Sequence, residues 1–509
     1  MAALQQAAQD VVHEFDFALQ DAGRFLYCRS VGGQSKKVAE PHFDVSDMVL
    51  CDLTSRPLGL LEADLRDVTL ALHLADRLAA RRLPGERDRS DLHHARRMKM
   101  RLGVRCVERW NDTAVKGALI EYLHFNTGDA WELEFVPRHQ PLSASEQQQH
   151  LNFEAGAVLR QRWPHLIIAL FSAGLDSTAG LVCQLRQNSD TRLLLVSVNS
   201  SSRTMQQQRE VLDALPIEVR GRVQHIALDL HLHQASEERR SMKRHGLTLR
   251  TRGLLFLSAG TLVARMAGRE RFFVYENGLG AFNLSFDRSQ LTGQANRAVN
   301  PRSLALFGHF ATVLFRQPMY IENPYQFQTK GELCQALNTP EWVHLVPKTF
   351  TCGYPQRVPG QAKRQGIWHC GTCHSCWLRR QSLRVAGLSQ DDTQLYFRDL
   401  VRPETVDGAK RTEWIAIQLQ YRRLRQALAA SDDAMAWRAL TREFPELLAT
   451  QRDMAAAQPL SAIEVRRGVL RLFRTYIAEG LELAPTALHI LPQPQAALDT
   501  DIGQMRLFA

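Results

Sequence analysis

From residue 151 onward, short apolar runs without polar alternation are separated by windows whose apolar positions recur every three or four residues. The runs are LIIALF (166–171), LLLVSVN (193–199), VQHIALDL (223–230) and RFFVYENG (271–278), and the helical windows cover 177–187, 205–215 and 252–267. A strand without alternation is buried on both faces, and such strands separated by helices form a parallel sheet covered on each side. The expectation for 151–389 is therefore an α/β fold with a doubly wound parallel sheet. Residues 1 to about 145 read as a mixed α+β unit. Its strands are RFLYCRSV (24–31), MVLCDL (48–53), LGVRCVERW (102–110) and DAWELEFVPR (129–138), with a short helix before the last. LLEADLRDVTLALHLADRLAARR (60–82) reads as an amphipathic helix whose Asp64, Asp76 and Arg77 form its solvated face and salt bridges, a functional patch being the alternative. The polar stretch 140–150 reads as a linker. Beyond about 390 the strands stop, and windows such as 412–430 and 463–480 repeat apolar residues at helical spacing, so 390–509 is expected to be helical.

The first buried run ends in Ser172-Ala173-Gly174-Leu175-Asp176-Ser177-Thr178. In a parallel sheet this loop lies at the carboxyl edge, where small residues opening onto a helix direct backbone N–H groups and the positive dipole end at a guest. Phosphate is the natural one. The spacing G-x-x-x-x-G-K-[S/T] is absent, which disfavours chemistry at a γ-phosphate. A plain strand-to-helix turn capped by Ser and Asp is the bland alternative.

Composition narrows the setting. A chain of 509 residues suggests two to four domains, and 45% hydrophobic with 23% charged residues is globular usage. No apolar run approaches the roughly 18 residues of a membrane span, and the N-terminus lacks a basic segment followed by an apolar core, so a cytoplasmic protein is expected. A net charge of +10 is mild over this length and does not indicate nucleic acid. The nine cysteines are odd in number and scattered, which argues against a disulfide framework. Cys352, Cys370, Cys373 and Cys376 are the exception. Their spacing suits one tetrahedral Zn²⁺ with no open position, hence a structural metal. His369 or His374 as a substitute ligand, and a redox pair, remain alternatives.

The stretch Ser172–Ser177 resembles the pyrophosphate loop S-G-G-x-D-S of the PP-loop ATPases. That resemblance implies cleavage of ATP between its α- and β-phosphates, with Mg²⁺, and residues 172–178 holding the nucleotide, Asp176 ordering the loop or metal. Ala173 stands where the family has Gly, adding a methyl and disfavouring a positive φ. Together with Cys352 and the run Cys370-Gly371-Thr372-Cys373-His374-Ser375-Cys376 followed by Arg379, the loop makes residues 165–385 similar to the 7-cyano-7-deazaguanine synthase (QueC) family. Arg250-Thr251-Arg252, Asn323-Pro324-Tyr325 and Thr329-Lys330-Gly331-Glu332 fit the same pattern. Gly253 replaces an expected Asn, the first cysteine lies farther from the triplet than usual, and Glu276–Ala281 replaces a Tyr-Pro-Asp segment.

QueC itself is a compact single domain. The added flanks, about 150 residues before and 120 after, look like those of the QueC-like proteins of bacterial anti-phage systems, the Qat system among them. The resemblance implies an AMP-forming, ATP-dependent synthase or ligase that adenylates a 7-deazaguanine carboxylate, with Asp176, Lys330 and Arg252 as catalytic residues. Ammonia as acceptor leads to a nitrile, and the amine of a partner protein from a defence operon leads to an amide. A stand-alone queuosine-pathway synthase, a tRNA-modifying relative and a non-catalytic nucleotide-binding scaffold are the rival readings.

Overall fold

The computed structural model describes residues 12–20, 25–30, 42–44, 58–79, 95–138, 163, 165–199, 202–229, 232–233, 250–285, 297–398 and 409–483. The segments 48–53 and 140–150 lie outside them. A first, mixed sheet comprises β1 (Val12–Gln20), β2 (Phe25–Ser30), β3 (His42–Asp44), β4 (Arg97–Val104) and β5 (Ala130–Pro137). Two residues from much later, β9 (Leu232–His233), complete the order β5-β4-β1-β2-β3-β9. β4 alternates strictly, with Met98, Met100, Leu102 and Val104 buried and Lys99, Arg101 and Gly103 between them, as a strand with one covered face must. The expected strand at 102–110 is thus displaced. The ladder starts at Arg97 and ends at Val104, and residues 107–111 are helical, burying Trp110.

The second sheet is parallel throughout, in the order β11-β10-β6-β7-β8. Its strands are β6 (Leu166–Leu170), β7 (Arg192–Asn199), β8 (Val223–Asp229), β10 (Arg271–Val274) and β11 (Tyr320–Glu322). The chain winds outward from β6 through β7 to β8, then returns to the other side of β6 for β10. The α/β expectation is met, and the carboxyl ends of β6 and β10 flank the crevice where winding reverses. β10 is shorter than the run 271–278 suggests, because Gly278–Phe282 turns into a short helix capped by Asn277.

The helices that matter below are α1 (Leu60–Leu78), α2 (Thr113–Thr127), α3 (Leu175–Gln187), α4 (Ser202–Asp213), α5 (Arg252–Met266) and α6 (Pro301–Phe315). After them come α7 (Lys330–Cys334), α8 (His374–Val385), α9 (Ala409–Ala427), α10 (Asp433–Glu443), α11 (Glu446–Ala457) and α12 (Ala462–Leu483). One continuous apolar core runs from α1, β4 and α2 into α5, α6 and the parallel sheet. Consequently α1 has no solvated charged face. Asp64 is 0% and Asp76 4% exposed, the first paired with Arg105 at 2.9 Å and the second with Arg96 at 2.5 Å. Asp76 also accepts from the Thr251 backbone N–H at 3.0 Å, and Thr69 and Ser258 hydroxyls meet at 2.8 Å. These bonds offset part of the cost of burying charge, and they tie α1 to the start of α5. Helices α9 to α12 enclose a second core with Leu279, Phe282, Trp377 and Leu378, so residues 409–483 are helical as expected. Among the described residues no helix is long and apolar enough to cross a membrane.

Candidate active site and metal centre

The loop after β6 is closed by its own side chains. The Gly174 N–H donates to Ser172 Oγ at 3.2 Å, Ser177 Oγ donates to Gly174 O at 3.1 Å, and the two serine hydroxyls lie 3.2 Å apart. Ser172 is exposed, while Leu175 and the first turn of α3 are buried. Ala173 adopts φ 57° with its methyl wholly buried. The left-handed conformation costs a non-glycine residue about 1 kcal/mol, so the loop keeps its turn despite the Gly-to-Ala departure. The Ala173 carbonyl accepts from the Phe350 N–H at 3.3 Å, which joins the loop to the segment leading into Cys352.

Asp176, in the first turn of α3, is gripped from two sides. Lys330 Nζ forms an ion pair with its Oδ2, and Asn277 Nδ2 donates to its Oδ1 at 2.9 Å. Lys330 is the first residue of α7, positioned by a capping box. Thr329 Oγ1 accepts from the Glu332 N–H at 3.1 Å, and Glu332 Oε2 accepts from the Thr329 N–H at 2.7 Å. Burial opposes the charge of Lys330, but Asp176 and Glu276 outweigh it and raise its pKa, so it remains an ammonium. Asn277 also donates to Glu276 Oε1 at 3.0 Å. Asn323, at the end of β11, holds the Glu276 carbonyl through Nδ2 at 2.8 Å. The fold thus brings together Asp176, Lys330 and Asn323, which lie far apart in sequence. Arg252 is not drawn in: it is exposed at the start of α5, its guanidinium 5.1 Å from the Phe256 ring centre, and no bond joins it to the loop among the described residues. Gly253 follows from packing, since a Cβ there would stand 2.8 Å from Cα and Cβ of Ala298.

Cys352, Cys370, Cys373 and Cys376 are buried with their Sγ atoms all within 4.8 Å of one another, and could hold a metal ion such as zinc. The Cys373–Cys376 and Cys370–Cys376 separations are 3.5 and 4.0 Å. Thiolates about 2.3 Å from a tetrahedral Zn²⁺ stand ~3.8 Å apart, so the donor set fits. The sulfurs also have outer partners: the Cys370 N–H donates to Cys352 Sγ at 3.3 Å and Thr372 Oγ1 to Cys370 Sγ at 3.7 Å. Gly371, at φ 77°, is obligatory, because a Cβ would lie 1.7 Å from Arg398 O. His369 is outside the donor set. Burial, helped by Arg379, drives its pKa down to about 3, and its Nε2 accepts from the Thr351 N–H at 3.3 Å. His374 faces Tyr476 OH at 3.5 Å instead.

Two further features have roles that the sequence did not disclose. Arg379, wholly buried, donates to Thr349 Oγ1 at 2.7 Å and Val346 O at 3.0 Å and pairs with Asp392 at 2.9 Å, so it clamps the strip between loop and metal site. Glu479 of α12 accepts from Thr329 Oγ1 and from Gln381 Nε2, the latter at 3.3 Å, reaching the Lys330 turn and α8 at once. Arg471 adds bonds to Glu332 at 2.5 Å and to Phe327 O at 2.6 Å. Fold and site define the class: a doubly wound α/β protein with a small-residue loop at its switch point and a buried four-cysteine centre. Comparison with protein-family models and with curated proteins finds no match.

Proposed function

We propose that this protein is an AMP-forming, ATP-dependent enzyme of the PP-loop type that adenylates a 7-deazaguanine carboxylate in the setting of a QueC-like anti-phage system. The observation that carries the reading is the small-residue loop at the switch point, backed by the Asp176–Lys330 pair and joined through Phe350 to the four-cysteine centre. The substrate carboxylate attacks the α-phosphorus, and pyrophosphate departs with the bonding electrons into the loop. There the exposed Ser172 hydroxyl and the start of α3 offer a donor and positive potential. Lys330, charged and fixed against Asp176 in the first turn of α3, is a cation that can stabilise that change. Mg²⁺ would arrive with the phosphates and share their charge, because Asp176 is already committed to Lys330 and Asn277. Zn²⁺ on the four cysteines would have a structural role, and the Phe350 link makes it a support of the loop. An amine, either ammonia or one on a partner protein, then takes the acyl group.

The test is pyrophosphate release from ATP dependent on the deazaguanine carboxylate. Asp176→Asn keeps the shape and an acceptor but removes the charge opposite Lys330. It should lower the rate by at least about 100-fold while the protein still folds. Release of phosphate as the first product, or full activity in that variant, refutes the reading.

A further inference from the structure

Glu276 ends the segment after β10, on the opposite side of the crevice from the loop. Asn277 Nδ2 donates both to its Oε1, at 3.0 Å, and to Asp176 Oδ1, at 2.9 Å, so a single amide group spaces the two carboxylates. Asn323 fixes the Glu276 backbone from the neighbouring strand, accepting from its N–H at 3.4 Å and donating to its carbonyl at 2.8 Å. Room for the carboxyl exists because residue 280 is glycine: a Cβ there would lie 2.1 Å from Oε1. Oε2 has no hydrogen-bond partner among the described residues.

Attack of an amine on an acyl adenylate leaves a surplus proton on nitrogen, and the site needs a group to take it. Among the described residues, the titratable groups bonded around the loop and the metal centre are committed. Asp176 serves Lys330 and Asn277, Lys330 is already protonated, His369 is buried and accepts from the Thr351 N–H, and His374, half-buried, meets Tyr476 OH. We propose that Glu276 is the general base of the acyl-transfer half-reaction, an assignment that rests on the adenylation reading. The amine nitrogen bonds to the acyl carbon, and the bond from that carbon to the phosphate oxygen breaks. AMP leaves with its electron pair, and the amine proton passes to the Glu276 carboxylate and then to water. The groups facing Glu276 are Asp176 from α3, Lys330 from α7 and Asn277 on its own turn. Burial first and Asp176 second push its pKa up to about 8, against the pull of Lys330 and the Asn277 hydrogen bond. A base of that strength is both partly ionised and effective near neutral pH.

The experiment separates the two half-reactions in the full chain. Exchange of labelled pyrophosphate into ATP, dependent on the 7-deazaguanine carboxylate, reports adenylation, and amide formed from ammonium reports transfer. Glu276→Gln, which still accepts from Asn277, should retain exchange within about threefold but slow transfer by ~10²-fold or more, and should lose the rise of transfer with pH near 8. Gly280→Ala, whose methyl displaces the carboxyl without removing it, should show the same split. Infrared titration of the free protein should reveal a carboxylic-acid band that disappears near pH 8 and is missing from Glu276→Gln, a readout independent of turnover. Unchanged transfer with an unchanged pH profile in Glu276→Gln overturns the base assignment alone, as does an equal loss of both half-reactions. Absence of exchange in the unsubstituted protein overturns the adenylation reading and the base with it.

Discussion

Ala173 concentrates the tension at the residue scale, because its left-handed backbone opposes a buried methyl. The conformation costs about 1 kcal/mol, and burying the methyl contributes ~0.8 kcal/mol, so Ala173→Gly should change stability little and leave pyrophosphate release intact. Ala173→Val should behave differently, since a β-branched side chain is a true outlier at φ 57°. It should destabilise by roughly 2 kcal/mol and suppress release, measured by denaturant melts and product assay. His73 is a second residue whose chemistry depends on where the fold puts it. It is buried on α1, bonded through Nδ1 to Thr251 Oγ1 at 3.0 Å, and burial lowers its pKa to about 3. The unfolded chain therefore takes up this proton first. The stabilisation from neutral His73 is complete above about pH 6.5 and is lost as pH falls towards the folded value. His73→Gln should make the unfolding free energy from denaturant melts fall less steeply between pH 6.5 and 4, by up to about 1.4 kcal/mol per pH unit. An identical acid profile in the variant would contradict this.

At the element scale, four strands of the parallel sheet were legible because burial on both faces removes polar alternation, as in Leu166–Leu170 and Arg192–Asn199, whereas β11, only three residues long, was not. Helix α6 was not. It is enclosed by α2, α11 and β11, so Leu304, Phe307, Phe310 and Leu314 leave no clear polar stripe to mark it. The charges of α1 misled in part: the expected salt bridges are present, but in a buried rather than a solvated setting, which only the partners Arg96, Arg105 and Thr251 make tolerable. The loop residues and four cysteines were legible as local spacing, whereas Glu479 and Thr329 meet across 150 positions and carry no local signal. The metal centre yields a prediction about elements as well. Since Cys352 lies two residues from Phe350, which bonds the Ala173 carbonyl, removal of the metal with a chelator should loosen the loop. Expected are a melting point lower by roughly 5–15 °C, weaker ATP binding by calorimetry, and recovery of both on adding Zn²⁺. Metal-free protein with unchanged melting and binding would refute the connection.

For the whole molecule, the flanking regions belong to the machinery that holds the site. The N-terminal sheet and the parallel sheet share one core, and α12 seals the Lys330 turn from the other side. Gly278 shows how close that seal is, because a Cβ there would fall 2.5 Å from Leu472 Cδ2. Glu479 is buried and accepts from Thr329, the cap residue that sets the direction of Lys330, while Tyr421 OH donates to Gln381 Oε1 at 2.6 Å and holds Gln381 against the same carboxylate. Ending the chain at residue 408 would expose Leu279, Phe282, Trp377 and Leu378 together, a contiguous apolar surface prone to association in water. That truncated chain should aggregate, and co-expression of residues 409–509 should rescue it. Glu479→Gln tests the subtler connection. It keeps the shape and an acceptor for Thr329 but removes the charge, so the fold should survive with a loss of about 1–3 kcal/mol. If Glu479 positions Lys330 through its cap, pyrophosphate release should fall through kcat with little change in KM for ATP. A stability loss with unchanged kcat would mean that α12 supports the fold without setting the geometry of the site.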